Sequence, residues 1–298
     1  MKKSLLLRKN VVPYLFILPL VLFYLSFQLY PMIKEFQMSF FDWTFNPGKE
    51  NIFVGWENYQ HIFQDPKVKL ALKNTLLYAL ITVPGQMILA MLVALLIDAL
   101  PRGKGVFRVL YYLPVITSWV IASILVRFLF NFPKGIINYL LLDVFSLIDA
   151  PINWFGAPGT AFVAIDLLGI WKGIGWSMLI YLSALQGIPK ELLEAAEVDG
   201  ASPWRRFWSV KLPLLTPAIS YTLILLTIGA MNVFLSVFLI TGGGPQQKTE
   251  VFLSYLYHQA FEFFDFGYGA ALSVVLAIGL LIVSILQYRF VGKPERLR

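Results

Sequence analysis

The chain has 298 residues, 58% of them hydrophobic and 14% charged, with a mean hydropathy of +0.71 and a net charge of +7. Soluble domains carry about 25% charged residues, so this composition argues for a membrane protein, and its basic excess reads as membrane-flanking loops rather than a nucleic-acid surface. The absence of cysteine excludes disulfides, zinc knuckles, iron–sulfur clusters and thiol chemistry.

The chain opens MKKSLLLRKN and then runs apolar for about 20 residues, enough for a helix to cross a bilayer. No small-residue cleavage site closes that run, which predicts a retained first membrane helix over 11–32. Five further uncharged stretches predict spans over 74–97, 109–126, 161–185, 214–240 and 266–288. Asp98 closes the second, Arg108 and Arg127 bound the third, and Arg289 closes the sixth. The fourth contains Asp166 and Lys172, six residues apart and so not a simple i,i+4 pair. Asp166 is expected near the outer surface; Lys172 lies deeper and needs a partner or a snorkelling route. The expected architecture is an all-α membrane protein of six helices, one domain over 11–291 between tails at 1–10 and 292–298.

Basic residues orient it. The N-terminal tail, the 98–108 loop, the 186–213 loop and the C-terminal tail hold fifteen of the 24 Lys and Arg residues. The loops on the other side hold seven. Both tails are therefore expected in the cytoplasm, as an even number of spans requires. The outer segments are 33–73, with Trp43, Trp56 and Tyr59, and 131–160, with Pro133, Pro151 and Pro158.

Catalytic patterns are absent. His61 and His258 fall in predicted outer loops, and no HExxH, GxSxG or GxxxxGK[ST] occurs. No metal site and no ATP site are expected on the chain. A transporter or channel subunit remains.

Against this apolar background, Glu191, Glu194, Glu197 and Asp199 crowd into nine residues, of only 17 acids in all. Pro189 suits a helix start, Lys190 to Asp199 has helix-forming composition, and Gly200 suits a left-handed stop. Ser202 and Pro203 suit the cap and first position of a second helix. On the first helix the three glutamates share a face, and Leu192, Leu193, Ala195 and Ala196 spread over the other. The second piece, PWRRFWSVK, alternates aromatic and basic residues, a pattern suited to a cytoplasmic headgroup layer. These residues alone leave two readings: a solvated loop with an interfacial helix, or a docking element.

A resemblance bears on that choice. Glu194-Ala195-Ala196, three residues, Gly200, nine residues, Val210, one residue, Leu212-Pro213 resembles the cytoplasmic EAA loop of ATP-binding-cassette importer permeases, with Val210 where the family usually has Ile. The stretches FVGWENYQHIF, FRVLYYLPVITS, IWKGIGWSMLIYLSALQGIP, LITGGGP and AFEFFDFGYGAALSV resemble the carbohydrate-importing branch. The resemblance implies a type I ABC importer-like fold whose 189–213 loop seats a coupling helix in an ATPase subunit. Glu194, Ala195, Ala196, Asp199, Gly200 and Pro213 would form that joint. It further implies a second homologous permease, two ATPase subunits that use ATP and magnesium, an extracytoplasmic solute-binding protein, and a bacterial or archaeal cytoplasmic membrane. This chain would bind no cofactor.

Sugars are held by polar side chains and aromatic faces. The candidates within the spans are Gln86, Trp119, Trp171, Asn232 and Ser236. Asn232 and Ser236 are four apart and would share a helix face, although Asn232 serves a helix–helix hydrogen bond equally well, and Trp171 suits packing or interface anchoring. The Gly242-Gly243-Gly244-Pro245 run suits a re-entrant or outer turn rather than a phosphate cradle. Rival readings are a self-sufficient channel or ion-coupled carrier, which would carry more ionisable residues in its spans, and an importer of a non-sugar solute.

Overall fold

The computed structural model describes residues 14–45, 48 and 50–291. The tails at 1–10 and 292–298, the first three residues of the first predicted span and Lys49 lie outside the described residues.

The chain divides into two compact units. One holds the residues up to Asp65 together with Leu256–Ala277; the other holds Pro66–Tyr255 and the residues from Ile278. In the first unit, helix α1 (Tyr14–Met38) is apolar along its length and buries none of its hydrophobic window. It leads into a short antiparallel ribbon in which Phe41 of β1 (Phe41–Asp42) faces Phe53 of β2 (Ile52–Phe53). Helix α2 (Glu57–Gln64) is tied back by two bonds from the Asn58 amide, to Ser39 O (3.0 Å) and Phe41 O (3.1 Å). His61 packs its ring 4.7 Å from that of Tyr268, whose hydroxyl donates to Asp65 Oδ2 at 3.1 Å.

The second unit is built on α3 (Pro66–Ala99) and α7 (Pro158–Gln186). Their contact is close because glycine stands where a side chain would collide. A Cβ on Gly169 would meet Tyr78 Oη, one on Gly173 would meet Gln86, and one on Gly85 would meet Ile170. Lipid offers no hydrophobic drive between helices, so such small-residue contacts and buried hydrogen bonds hold membrane bundles together. The Tyr181 and Thr222 hydroxyls bond at 2.6 Å. Asn74 donates to Lys248 O (3.0 Å) and Glu250 O (2.7 Å), and Thr75 Oγ1 accepts from Phe252 N (2.8 Å). These bonds anchor the Gly-Pro turn at 242–250, in which Gly242 and Gly243 take positive φ.

Two predicted spans are broken. The third is α4 (Lys104–Ile116) followed by α5 (Trp119–Leu129), bent by 92°. Thr117 turns extended at ψ 135, and Ser118 caps α5 by accepting from Val120 N. The fifth is the continuous helix α9 (Pro203–Met231), a break at 232–234, and short α10 (Leu235–Ile240). Asn232 donates its side-chain amide back to Ile228 O at 2.8 Å and ends the helix, a local bond that competes with helix continuation. Asn232 and Ser236 therefore share no helix face. The remaining α-helices among the described residues are α6 (Ile136–Tyr139), α8 (Lys190–Val198), α11 (Phe252–Tyr257) and α12 (Phe266–Val291). Among the described residues, five helices are long and apolar enough to cross a membrane, six if the bent pair is one span.

Candidate functional site

Two places carry side chains that core packing does not explain. The first is a cavity of about 530 Å³ in the second unit, within the ~300–1,000 Å³ usual for small-molecule sites. Helix α3 contributes Tyr78 and Gln86, α5 contributes Trp119, and α7 contributes Lys172 and Trp176. The break after α9 supplies Asn232 and Phe234, and α10 supplies Ser236. The floor is apolar, from Leu225, Leu226 and Ala230. Few polar groups set among aromatic faces can orient a polyhydroxylated ring by hydrogen bonds and stacking.

Of the residues expected on the path, Gln86, Trp119, Asn232 and Ser236 line this one cavity. Trp171 does not; it is 44% exposed on the outside of α7. Trp176 takes the cavity position. Five residues at about 100° each separate the two tryptophans by ~140° around the helix, so only one can face inward. The signal that separates them lies in Gly169 and Gly173, which mark the face of α7 turned to α3. Tyr78 and Phe234 gave no comparable signal. Phe234 reaches the wall because the helix breaks beside it, at φ −145. Asp166 is 7% exposed, and its Oδ1 has no hydrogen-bond partner among the described residues.

The second place is the polar loop. Helix α8 ends at Asp199, and Gly200 follows at φ +73. Ala201 N bonds Ala196 O and Gly200 N bonds Glu197 O, both at 2.9 Å. This is the double-bonded Schellman end, which calls for a left-handed residue at that position. Pro189 stands at the N-cap position, with no side-chain capping bond, and Lys190 is the first residue of the helix. Ser202 then caps α9, accepting from Arg205 N at 3.3 Å, with Pro203 at the first position. Arg206 reaches back across the turn to Glu197 Oε2 at 2.6 Å. A π-helical turn at Phe207–Lys211 precedes Leu212 and Pro213, where the helix runs on as the span.

Helix α8 buries none of its residues against the rest of the chain. Val198 is 87% exposed and Leu192 is exposed. Nine residues are too few for a stable helix in water. This one is held by its C-terminal Schellman end and the Glu197–Arg206 bridge, with its small and apolar side chains left open. Glu194, Ala195, Ala196, Asp199 and Gly200 all lie on this exposed element or its turn.

Comparison with known proteins bears on both places. Residues 74–295 match the family described as "Binding-protein-dependent transport system inner membrane component". The sulfoquinovosyl glycerol transport system permease protein SmoG of Agrobacterium fabrum is 35% identical over 267 residues, 89% of this chain and 85% of that protein. The trehalose/maltose transport system permease protein MalF of Thermococcus litoralis is 34% identical over 290 residues, 97% and 96% of the two chains. In fold, the chain is similar to a subunit of a bacterial ABC transporter involved in import of the acidic polysaccharide alginate, at 24% identity and a TM-score of 0.83, covering 100% of this chain and 99% of that one.

Proposed function

We propose, for a chain that belongs to the family of inner membrane components of binding-protein-dependent transport systems, that it is the permease subunit of an ATP-driven sugar importer. The cavity receives the sugar, and α8 seats in a cytoplasmic ATPase. Both tails then lie in the cytoplasm. A second permease completes the path, and a solute-binding protein delivers from the other side. The chain performs no catalysis; two ATPase subunits hold the ATP and magnesium.

The observation that carries this reading is α8: a short, capped, unburied helix fused through one turn to the 29-residue helix α9. A push on α8 is transmitted along a continuous rod, and α9 ends at the cavity wall. Relatives named for sugar uptake support the substrate class, as does the aromatic and polar lining.

The test is co-expression with the genetically linked subunits, purification, and uptake of sugars in proteoliposomes. ATP-dependent sugar uptake by a complex containing an ATPase is expected. Purification without any ATPase, or uptake driven by an ion gradient in the absence of ATP, overturns the reading.

A further inference from the structure

Position 172 places a lysine in the middle of the apolar helix α7, and it is 5% exposed. Among the described residues no carboxylate pairs with it. Its ammonium donates instead to Pro114 O at 2.8 Å and Thr117 O at 2.6 Å, and lies 4.8 Å from the centre of the Trp119 ring. All three partners belong to the bend between α4 and α5.

Where α4 stops, the carbonyls of its last turn lose their helical amides. Thr117 meets two of them, its N–H donating to Pro114 O at 3.3 Å and its Oγ1 to Leu113 O at 3.0 Å, and its own carbonyl is left for Lys172. Within a bilayer such groups are costly unless protein satisfies them. A cation is the favoured partner at a helix C-terminus, because the helix dipole is negative there. An ammonium has three N–H donors and no acceptor. Two carbonyls and one aromatic face occupy them fully. Trp119 is the first residue of α5 and a cavity wall. The approach of α4 to α7 is close on the other side of the bend, since Gly175 lies where any Cβ would meet Tyr111 O of α4.

We propose that Lys172 is a positioning residue: its ammonium caps the broken span at Pro114 and Thr117 and holds the Trp119 ring against the cavity. It sets how tightly solute is taken without being a ligand of the solute. The capping stands on geometry alone; the effect on solute rests on the cavity reading given above.

The purified transporter tests both parts. Amide hydrogen exchange across residues 114–120 should quicken about tenfold in Lys172→Met and return near wild type in Lys172→Arg, which keeps cationic donors. In proteoliposomes Lys172→Met should raise the uptake KM about tenfold with kcat within about twofold, as should Trp119→Leu. The double variant should lie within about twofold of Trp119→Leu, because residues acting through one another are non-additive. If Lys172→Met does not assemble, Lys172→Ala, which likewise removes the donors, gives the same exchange reading. Unchanged exchange in the methionine or alanine variant overturns the proposal. So does an equal KM penalty in the wild-type and Trp119→Leu backgrounds, which would make Lys172 a direct ligand. Normal KM in Trp119→Leu alongside quickened exchange would instead overturn the cavity reading and leave the capping intact.

Discussion

Replacing Gly200 in turn by asparagine, alanine and valine isolates one physical quantity, the cost of a left-handed backbone at the α8–α9 turn. The residue sits at φ +73, and an ideal Cβ there meets nothing within 4 Å. Steric collision with the rest of the chain is therefore absent, and the penalty is conformational. For an ordinary L-residue that penalty is roughly 1–2 kcal/mol, and asparagine escapes most of it. One or two kcal/mol is a factor of about 5–30 in the population of the turn. Both Schellman bonds, at 2.9 Å, are lost when the turn opens. Under the proposed coupling, solute-stimulated ATPase activity and uptake in proteoliposomes should fall in the order asparagine, alanine, valine, with asparagine near wild type. The β-branched valine should lose most, since a positive φ is a true outlier for such a side chain. Subunit levels are matched by immunoblot. Wild-type uptake in Gly200→Val, or asparagine failing as badly as valine, would refute the reasoning.

Three further outcomes are expected. Alanine at Gly175 should destabilise more than alanine at Gly173, because the new Cβ meets the Tyr111 carbonyl in one case and the Gln86 side chain in the other; overpacking costs about 1–3 kcal/mol where a neighbour can yield, and thermal unfolding in detergent ranks the two. Asn74→Leu strands the Lys248 and Glu250 carbonyls; a loss of about 1–3 kcal/mol follows from unsatisfied buried acceptors, read as a lowered Tm, and an unchanged Tm would remove the amide from the account. Because the chain has no cysteine, Val198→Cys offers a single thiol on the exposed end of α8. Its maleimide labelling should slow at least about tenfold when the ATPase subunits are bound, the open form being the only reactive one; equal rates would place the ATPase elsewhere.

Much of the polar loop was legible beforehand because its determinants are local. Ser202 caps, Gly200 turns left-handed and Asp199 closes the helix through bonds spanning six residues or fewer. The cavity was half legible. Gln86, Asn232 and Ser236 stand out as polar groups in apolar spans, and Trp119 as an aromatic, yet nothing local says that they converge. Trp171 was the candidate and Trp176 lines the cavity; the two are separated only by which face of α7 meets α3. The broken spans were missed for a related reason. Residues 109–126 and 214–240 carry no charged residue, and composition records length but not continuity.

The sequence by itself determined that this chain spans a membrane by helices and presents a capped acidic turn between two of them, since burial cost in lipid and turn geometry act residue by residue. Only the tertiary structure decided where those helices break and which side chains line the space between them. A carbonyl freed at Thr117 is tolerable only if a lysine 55 residues away arrives to meet it, and that meeting is set by how α7 packs, glycine against tyrosine and glutamine, on α3.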